Sequence, residues 1–157
     1  MTIYNTERSE MLRFFVVRIT KLSYNLGCAW EKARNCNLGG YEMQRLIVDK
    51  DNAPSVDEIM SVLDSEIVEY EFDDFCLHIE FSEESDAFIG WIDNYNEEFF
   101  YFDNGSGNTE SVDLIVNVCP EERMMCYDPN VLKEIVLYFC ETGERNPNYN
   151  WIEDSLE

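Results

Sequence analysis

Apolar residues recur along the chain in two periods, and each period marks a different kind of element. From Asp74 to Phe81 the pattern alternates strictly, with Phe75, Leu77, Ile79 and Phe81 on one side and Cys76, His78 and Glu80 on the other. That period of two is the signature of a strand. Ala87–Asn94 and Phe99–Asp103 read as further strands, separated by the polar turns Ser82–Asp86 and Tyr95–Glu98. Val112–Val118, with Val112, Leu114, Val116 and Val118 on one side, is expected to be a fourth, entered through a hairpin turn at Asp103–Asn108. Upstream, Tyr41–Val48 reads as a strand closed by the turn Asp49–Asn52. Met11–Leu22 is rich in β-branched and aromatic residues and has the length of either a strand or a helix. The acidic stretch Glu66–Asp73 reads as a connector.

Two segments carry the longer period. Ser55 and Glu58 form a capping-box pair, and Val56, Ile59, Met60 and Leu63 then fall on one stripe, so a helix is expected over about 56–65. Asp128 followed by Pro129 is a cap and a first helical position, Val131, Leu132, Ile135, Val136 and Phe139 form the buried face, and Gly143 is placed to end the helix in the left-handed conformation. Strands joined by short connectors pair as an antiparallel meander. The expectation is a single α+β domain over 1–157, with a sheet of about four to six strands and helices packed on one face.

Composition adds a partner to this picture through the placement of charge. The 157 residues hold 33 acids, 11 Lys/Arg and one histidine, for a net charge of -22. Residues 1–50 carry +3, residues 51–122 carry -21 without a single Lys or Arg, and residues 123–157 carry -4. A block without cations cannot neutralise itself by local ion pairs, and its self-repulsion opposes folding. Direct binding to nucleic acid is disfavoured because phosphate contacts need cations, and an anionic membrane surface is disfavoured for the same reason. An electropositive partner would relieve the repulsion.

Catalytic and metal chemistry finds little support. His78 is the only histidine, which removes two-histidine metal sites and mechanisms. The six cysteines form no Cys-x-x-Cys pair, and most sit in apolar runs as small hydrophobes. Asp103–Glu110 lacks calcium-loop spacing, and no phosphate-binding glycine loop is present. No enzyme activity, cofactor or metal is therefore expected, although a site pairing His78 with a cysteine is the enzymatic alternative. Met1–Glu10 lacks the basic and apolar regions of a secretory signal, and no run reaches membrane-spanning length, so a reducing cytoplasm is expected.

The last helix and tail carry a family resemblance. Val131–Trp151 runs as an apolar helix ending at Phe139, then Thr142-Gly143-Glu144, a polar link containing Pro147, and Trp151. This arrangement resembles the C-terminal signature of the family numbered first among the immunity proteins of bacterial polymorphic toxin systems, often encoded beside deaminase-superfamily toxins. The likeness covers about residues 41–153, leaving 1–40 as an extension packed on or flanking the domain. It implies an immunity protein that binds and neutralises a cognate toxin, a deaminase by the resemblance, while the charge fits a nuclease equally and a mode in which the toxin's basic substrate surface is covered. Gly143 and Trp151, like Phe139 and Glu144 of the same motif, are expected to be structural. For the toxin-binding surface the expected acids are Glu83, Glu84, Asp86, Asp93, Glu97 and Glu98, with Trp91 and Tyr95 as aromatic anchors. The alternative from the charge alone is an acidic adaptor or nucleic-acid mimic that inhibits a DNA- or RNA-binding protein.

Overall fold

Strict alternation at residues 75–81 yields the strand about which the sheet is organised. The computed structural model describes residues 43–51, 53–114 and 119–154; the Met11–Leu22 segment lies outside them. In chain order the elements are β1 (Met43–Val48), α1 (Val56–Ser61) running into a 3-10 turn (Val62–Asp64), β2 (Ile67–Phe72), β3 (Phe75–Phe81), β4 (Ala87–Asp93), β5 (Glu98–Asp103), a 3-10 turn (Glu122–Met124), β6 (Met125–Cys126), α2 (Pro129–Thr142) and β7 (Asn150–Glu153). The sheet order is β1-β2-β3-β4-β5-β7, with the short β6 pairing to the start of β4. β2 to β5 form an antiparallel meander, while β1 lies parallel to β2 across the α1 crossover. The fold is α+β, as expected.

Both helices are set by their caps. Ser55 accepts from the Glu58 N–H at 3.3 Å and Glu58 Oε2 accepts from the Ser55 N–H at 2.8 Å, closing the capping box. Asp128 Oδ1 accepts from the Asn130 N–H at 2.8 Å, Pro129 opens α2, and Gly143 ends it at φ 76°. At that position a Cβ would stand 2.7 Å from Cδ1 of Phe72, so glycine is required both by conformation and by the close approach of β2. The helices lie on one face of the sheet, where Ile59, Leu132, Ile135, Val136 and Phe139 meet Val68, Tyr70, Leu77, Ile79, Ile89 and Trp91.

Three elements differ from expectation. Glu66–Asp73 is no connector, since Ile67–Phe72 forms β2 in the interior of the sheet. Its acids Glu69 and Glu71 break the apolar pattern, but both are paired with Arg45 of the neighbouring β1. Val112–Val118 is not a strand at residues 112–114, and 115–118 lie outside the described residues. Nor is Asp103–Asn108 a hairpin turn. It leaves the sheet as a loop held by side-chain caps, in which the Gly105 and Ser106 N–H groups donate to Asp103 Oδ1 and Asn104 Oδ1. The apolar residues Val112 and Leu114 pack against Phe88, Tyr101 and Met125 on the second sheet face rather than adding to the sheet edge. The tail forms β7 along β5, so Trp151 packs edge-on against Phe102 as a strand residue.

Candidate protein-binding surface

The expected toxin-facing residues do not form one patch. Glu83, Glu84 and Asp86 belong to the β3–β4 turn, whereas Asp93, Tyr95, Glu97 and Glu98 belong to the β4–β5 turn. Antiparallel pairing puts those turns at opposite ends of β4, roughly 20 Å apart at the rise of a strand. Trp91 is removed from the surface altogether. Only 4% exposed, it stacks on Phe75 at 5.3 Å and donates its indole N–H to the Gly143 carbonyl at 3.0 Å, so it anchors the core and not a partner. Asp93 is also buried. Its carboxylate accepts from the Tyr95 and Asn96 N–H groups and the Asn96 amide, closing its own turn. Burial opposes its charge, yet these hydrogen bonds hold its pKa below the ordinary aspartate value. Tyr95 is 80% exposed, and Glu97 and Glu98 are exposed beside it.

Three of the four motif residues have structural positions. Phe139 is fully buried beneath the sheet, and Gly143 is the C-cap. Trp151 donates to the Asn146 carbonyl at 3.1 Å, fixing the link between α2 and β7, and Glu144 is exposed.

At the end carrying Glu83, Glu84 and Asp86, a cleft of about 370 Å³ opens between the ends of β5 and β6 and the starts of α2 and β7. Phe102, Val131, Tyr127 and Tyr149 provide its apolar and aromatic walls, and Asp103 and Asp128 its carboxylates. Pairing of Ala87 with Cys126 sets Asp86 beside this rim. The pKa of Asp86 is raised, first by partial desolvation and then by the negative charge of Glu84. Tyr127 is pushed up to about 12 by desolvation and by its bond to Glu122, with Asp86 adding to the effect. This end is therefore an acidic rim around an aromatic cleft. The sequence pattern marks Asp128 as a cap and Asp103 as the join between a strand and a turn, and neither acid, nor Tyr127 or Tyr149, is among the expected toxin-facing residues. The signal available was an aromatic beside each acid, at Phe102-Asp103 and Tyr127-Asp128.

Among the described residues few cations are available to neutralise it. The described residues include Arg45, Lys50, Arg123, Lys133 and Arg145. Arg45 pairs with Glu69 and Glu71, Lys50 with Asp73, and Arg123 with Glu121. The guanidinium of Arg145 lies 3.4 Å from the Phe100 ring centroid, stacked on the aromatic surface.

The second sheet face buries a charged cluster. His78 Nδ1 lies 3.3 Å from Glu69 Oε1 and Nε2 lies 3.7 Å from Glu80 Oε2, while Arg45 Nη2 reaches Glu69 Oε2 at 2.6 Å. Burial alone would lower the pKa of His78, but the hydrogen bonds and charges of the two glutamates raise it to about 9. Burial likewise disfavours charged Glu69, and His78 and Arg45 outweigh it. Cys76, two residues along the same face, has its thiol pushed well up by burial and by Glu69 and Glu71, the reverse of what activates a nucleophile. No group of three or more metal-ligating side chains is found among the described residues, and no helix there is long and apolar enough to cross a membrane.

Comparison of the chain with protein-family models, curated proteins and solved structures finds no match in any of the three.

Proposed function

We propose that this chain is an immunity protein, which binds a cognate polymorphic toxin acting on nucleic acid, a deaminase by the family resemblance, and blocks its basic substrate surface. The observation that carries the reading is the charge at one end of the sheet. There Glu83, Glu84 and Asp86 adjoin a cleft bearing Asp103 and Asp128, while of the five described cations Arg45, Lys50 and Arg145 are held by partners elsewhere and Arg123, at this end, is paired with Glu121. A toxin that handles nucleic acid presents cations to phosphates. An acidic surface matched to those cations associates rapidly and occupies the place of the substrate. The C-terminal motif, from Phe139 through Thr142-Gly143-Glu144 to Trp151, supports the same reading by resemblance.

The turn at the opposite end, with Tyr95, Glu97 and Glu98, lies outside this surface in the proposal. Co-expression with the toxin domain encoded beside this chain's gene tests it. The two should co-elute at low salt and separate progressively as salt is raised, because exposed charge pairs are screened. Separate elution at every ionic strength would refute the proposal.

A further inference from the structure

We infer that the cleft between β5, β6, α2 and β7 is a receptor for one arginine side chain of the basic partner. The inference rests on the immunity reading and adds to it the residue type that is recognised and the place that receives it.

The cleft's volume of about 370 Å³ admits a side chain and not a macromolecular segment of any bulk. Phe102 and Val131 line it with apolar surface suited to an aliphatic stem, and Tyr127 and Tyr149 add aromatic rings, the surface on which a planar cation is held. Asp103 uses Oδ1 to accept from the Gly105 N–H at 2.9 Å, and Asp128 uses Oδ1 to accept from the N–H and side-chain amide of Asn130 at 2.8 and 3.1 Å. The Oδ2 atom of each takes no hydrogen bond from the described residues, and no Lys or Arg lines the cleft.

Two carboxylate oxygens beside aromatic rings suit a guanidinium better than an ammonium, because the guanidinium is planar, donates in a fork and stacks. The same chain already stacks a guanidinium on aromatic rings, with Arg145 over Phe100 and Trp91 at 3.4 and 5.1 Å from the ring centroids. An anionic ligand is opposed by Asp103 and Asp128 themselves and by Asp86 and Glu122 near Tyr127.

The test measures the dissociation constant for the neighbouring toxin domain with the natural chain, with Asp103→Asn/Asp128→Asn, with Tyr127→Ala, and with the remote exposed pair Glu98→Gln/Glu141→Gln at the opposite end of the sheet. Asparagine keeps the oxygen that accepts from the local backbone and is as good a helix cap as aspartate, so the fold is retained. The cleft pair should weaken binding by roughly 30-fold or more and Tyr127→Ala by about tenfold, with the remote pair within about threefold. Binding by the natural chain that the cleft variants leave within about threefold overturns the receptor and leaves the immunity reading standing. If the natural chain does not bind the toxin, the immunity reading fails, and a tri-arginine peptide then decides the cleft. Saturable shifts of the Gly105 and Asn148 amide signals, lost in Asp103→Asn/Asp128→Asn and not produced by tri-citrulline, uphold it. Absence of those shifts overturns it.

Discussion

Because His78 is the only histidine, the buried Glu69–His78–Glu80 cluster makes a sharp prediction about pH. The imidazole titrates at about 9 in the folded chain, against an ordinary value of 6.5. A group whose folded pKa is raised stabilises fully below its unfolded pKa and loses that contribution as pH climbs through the folded value. Stability should therefore hold near pH 6 and fall between pH 6.5 and about 9, by on the order of 3 kcal/mol if the whole difference in pKa is realised. Among the described residues, the following groups facing His78 do not cancel this trend. Arg45 on β1 stays charged throughout, and burial moves Cys76 on β3 above the window. Glu69 on β2 has a lowered pKa, so its own contribution is lost only as pH falls through the acidic range. On β4, the residue opposite His78 is Gly90, which has nothing to titrate.

Two measurements check the reasoning. Urea unfolding midpoints taken from pH 6 to 9.5 should fall steadily for the natural chain, and Glu80→Gln, which removes one of the two carboxylates, should flatten that fall. The lone imidazole proton resonance, assigned without ambiguity, should titrate near 9 in the native chain and near 6.5 in urea. A native midpoint at or below 6.5, with flat stability across the window, would refute the account of the cluster.

Other substitutions probe other parts of the fold. Gly143→Ala forces a non-glycine residue to φ 76° and drives its Cβ against Phe72, so thermal unfolding should show a loss of roughly 2 kcal/mol or more. Tyr70→Phe removes the hydroxyl that donates to the Ile59 carbonyl at 2.7 Å and leaves that carbonyl without its partner, lowering stability by about 1 to 2 kcal/mol in urea titration. Asp128→Ala strips the cap from α2 and should cost about 1 kcal/mol by the same measurement, whereas Asp128→Asn should not. Tyr95→Ala, at an 80% exposed turn position, should change the unfolding midpoint by no more than about 0.5 kcal/mol in equivalent stability.

How much of this was legible beforehand follows from what each residue pattern encodes. β3, β4, β5 and both helices are local: strict alternation or a capped apolar stripe defines them, and their ends fall within a residue or so of the expected limits, except that α1 tightens into a 3-10 turn after Ser61. β2 was hidden because Glu69 and Glu71 make Ile67–Phe72 look solvated. Their reason for being in a sheet is Arg45, 24 residues earlier for Glu69, and His78, on the next strand. Val112 and Leu114 misled in the opposite direction, since alternation identifies a segment that packs one side inward but not whether its backbone pairs. The parallel placement of β1 and the pairing of β7 to β5 are decided by tertiary contacts that no local window contains.

The candidate surface shows the same division. Sequence charge located the acids of the β3–β4 turn, but it grouped them with acids at the far end of β4, because proximity along the chain is not proximity across a hairpin. Trp91 looked like an anchor amid acids until pairing turned it towards the helices. The cleft was invisible because Asp103 and Tyr127 come together only when β6 pairs with β4 and β5 lies alongside.

The central claim is that this acidic end takes the place of nucleic acid on a toxin. It is tested most directly by expressing the protein encoded beside its gene, assaying it as a toxin on nucleic acid, and titrating the chain into that assay. The account predicts complete inhibition at one-to-one stoichiometry, relieved by excess substrate and by salt, and a weaker effect when Glu83, Glu84 and Asp86 are made neutral. Full toxin activity at micromolar concentrations of the chain, or inhibition unchanged by neutralising those three residues together with Asp103 and Asp128, would contradict it.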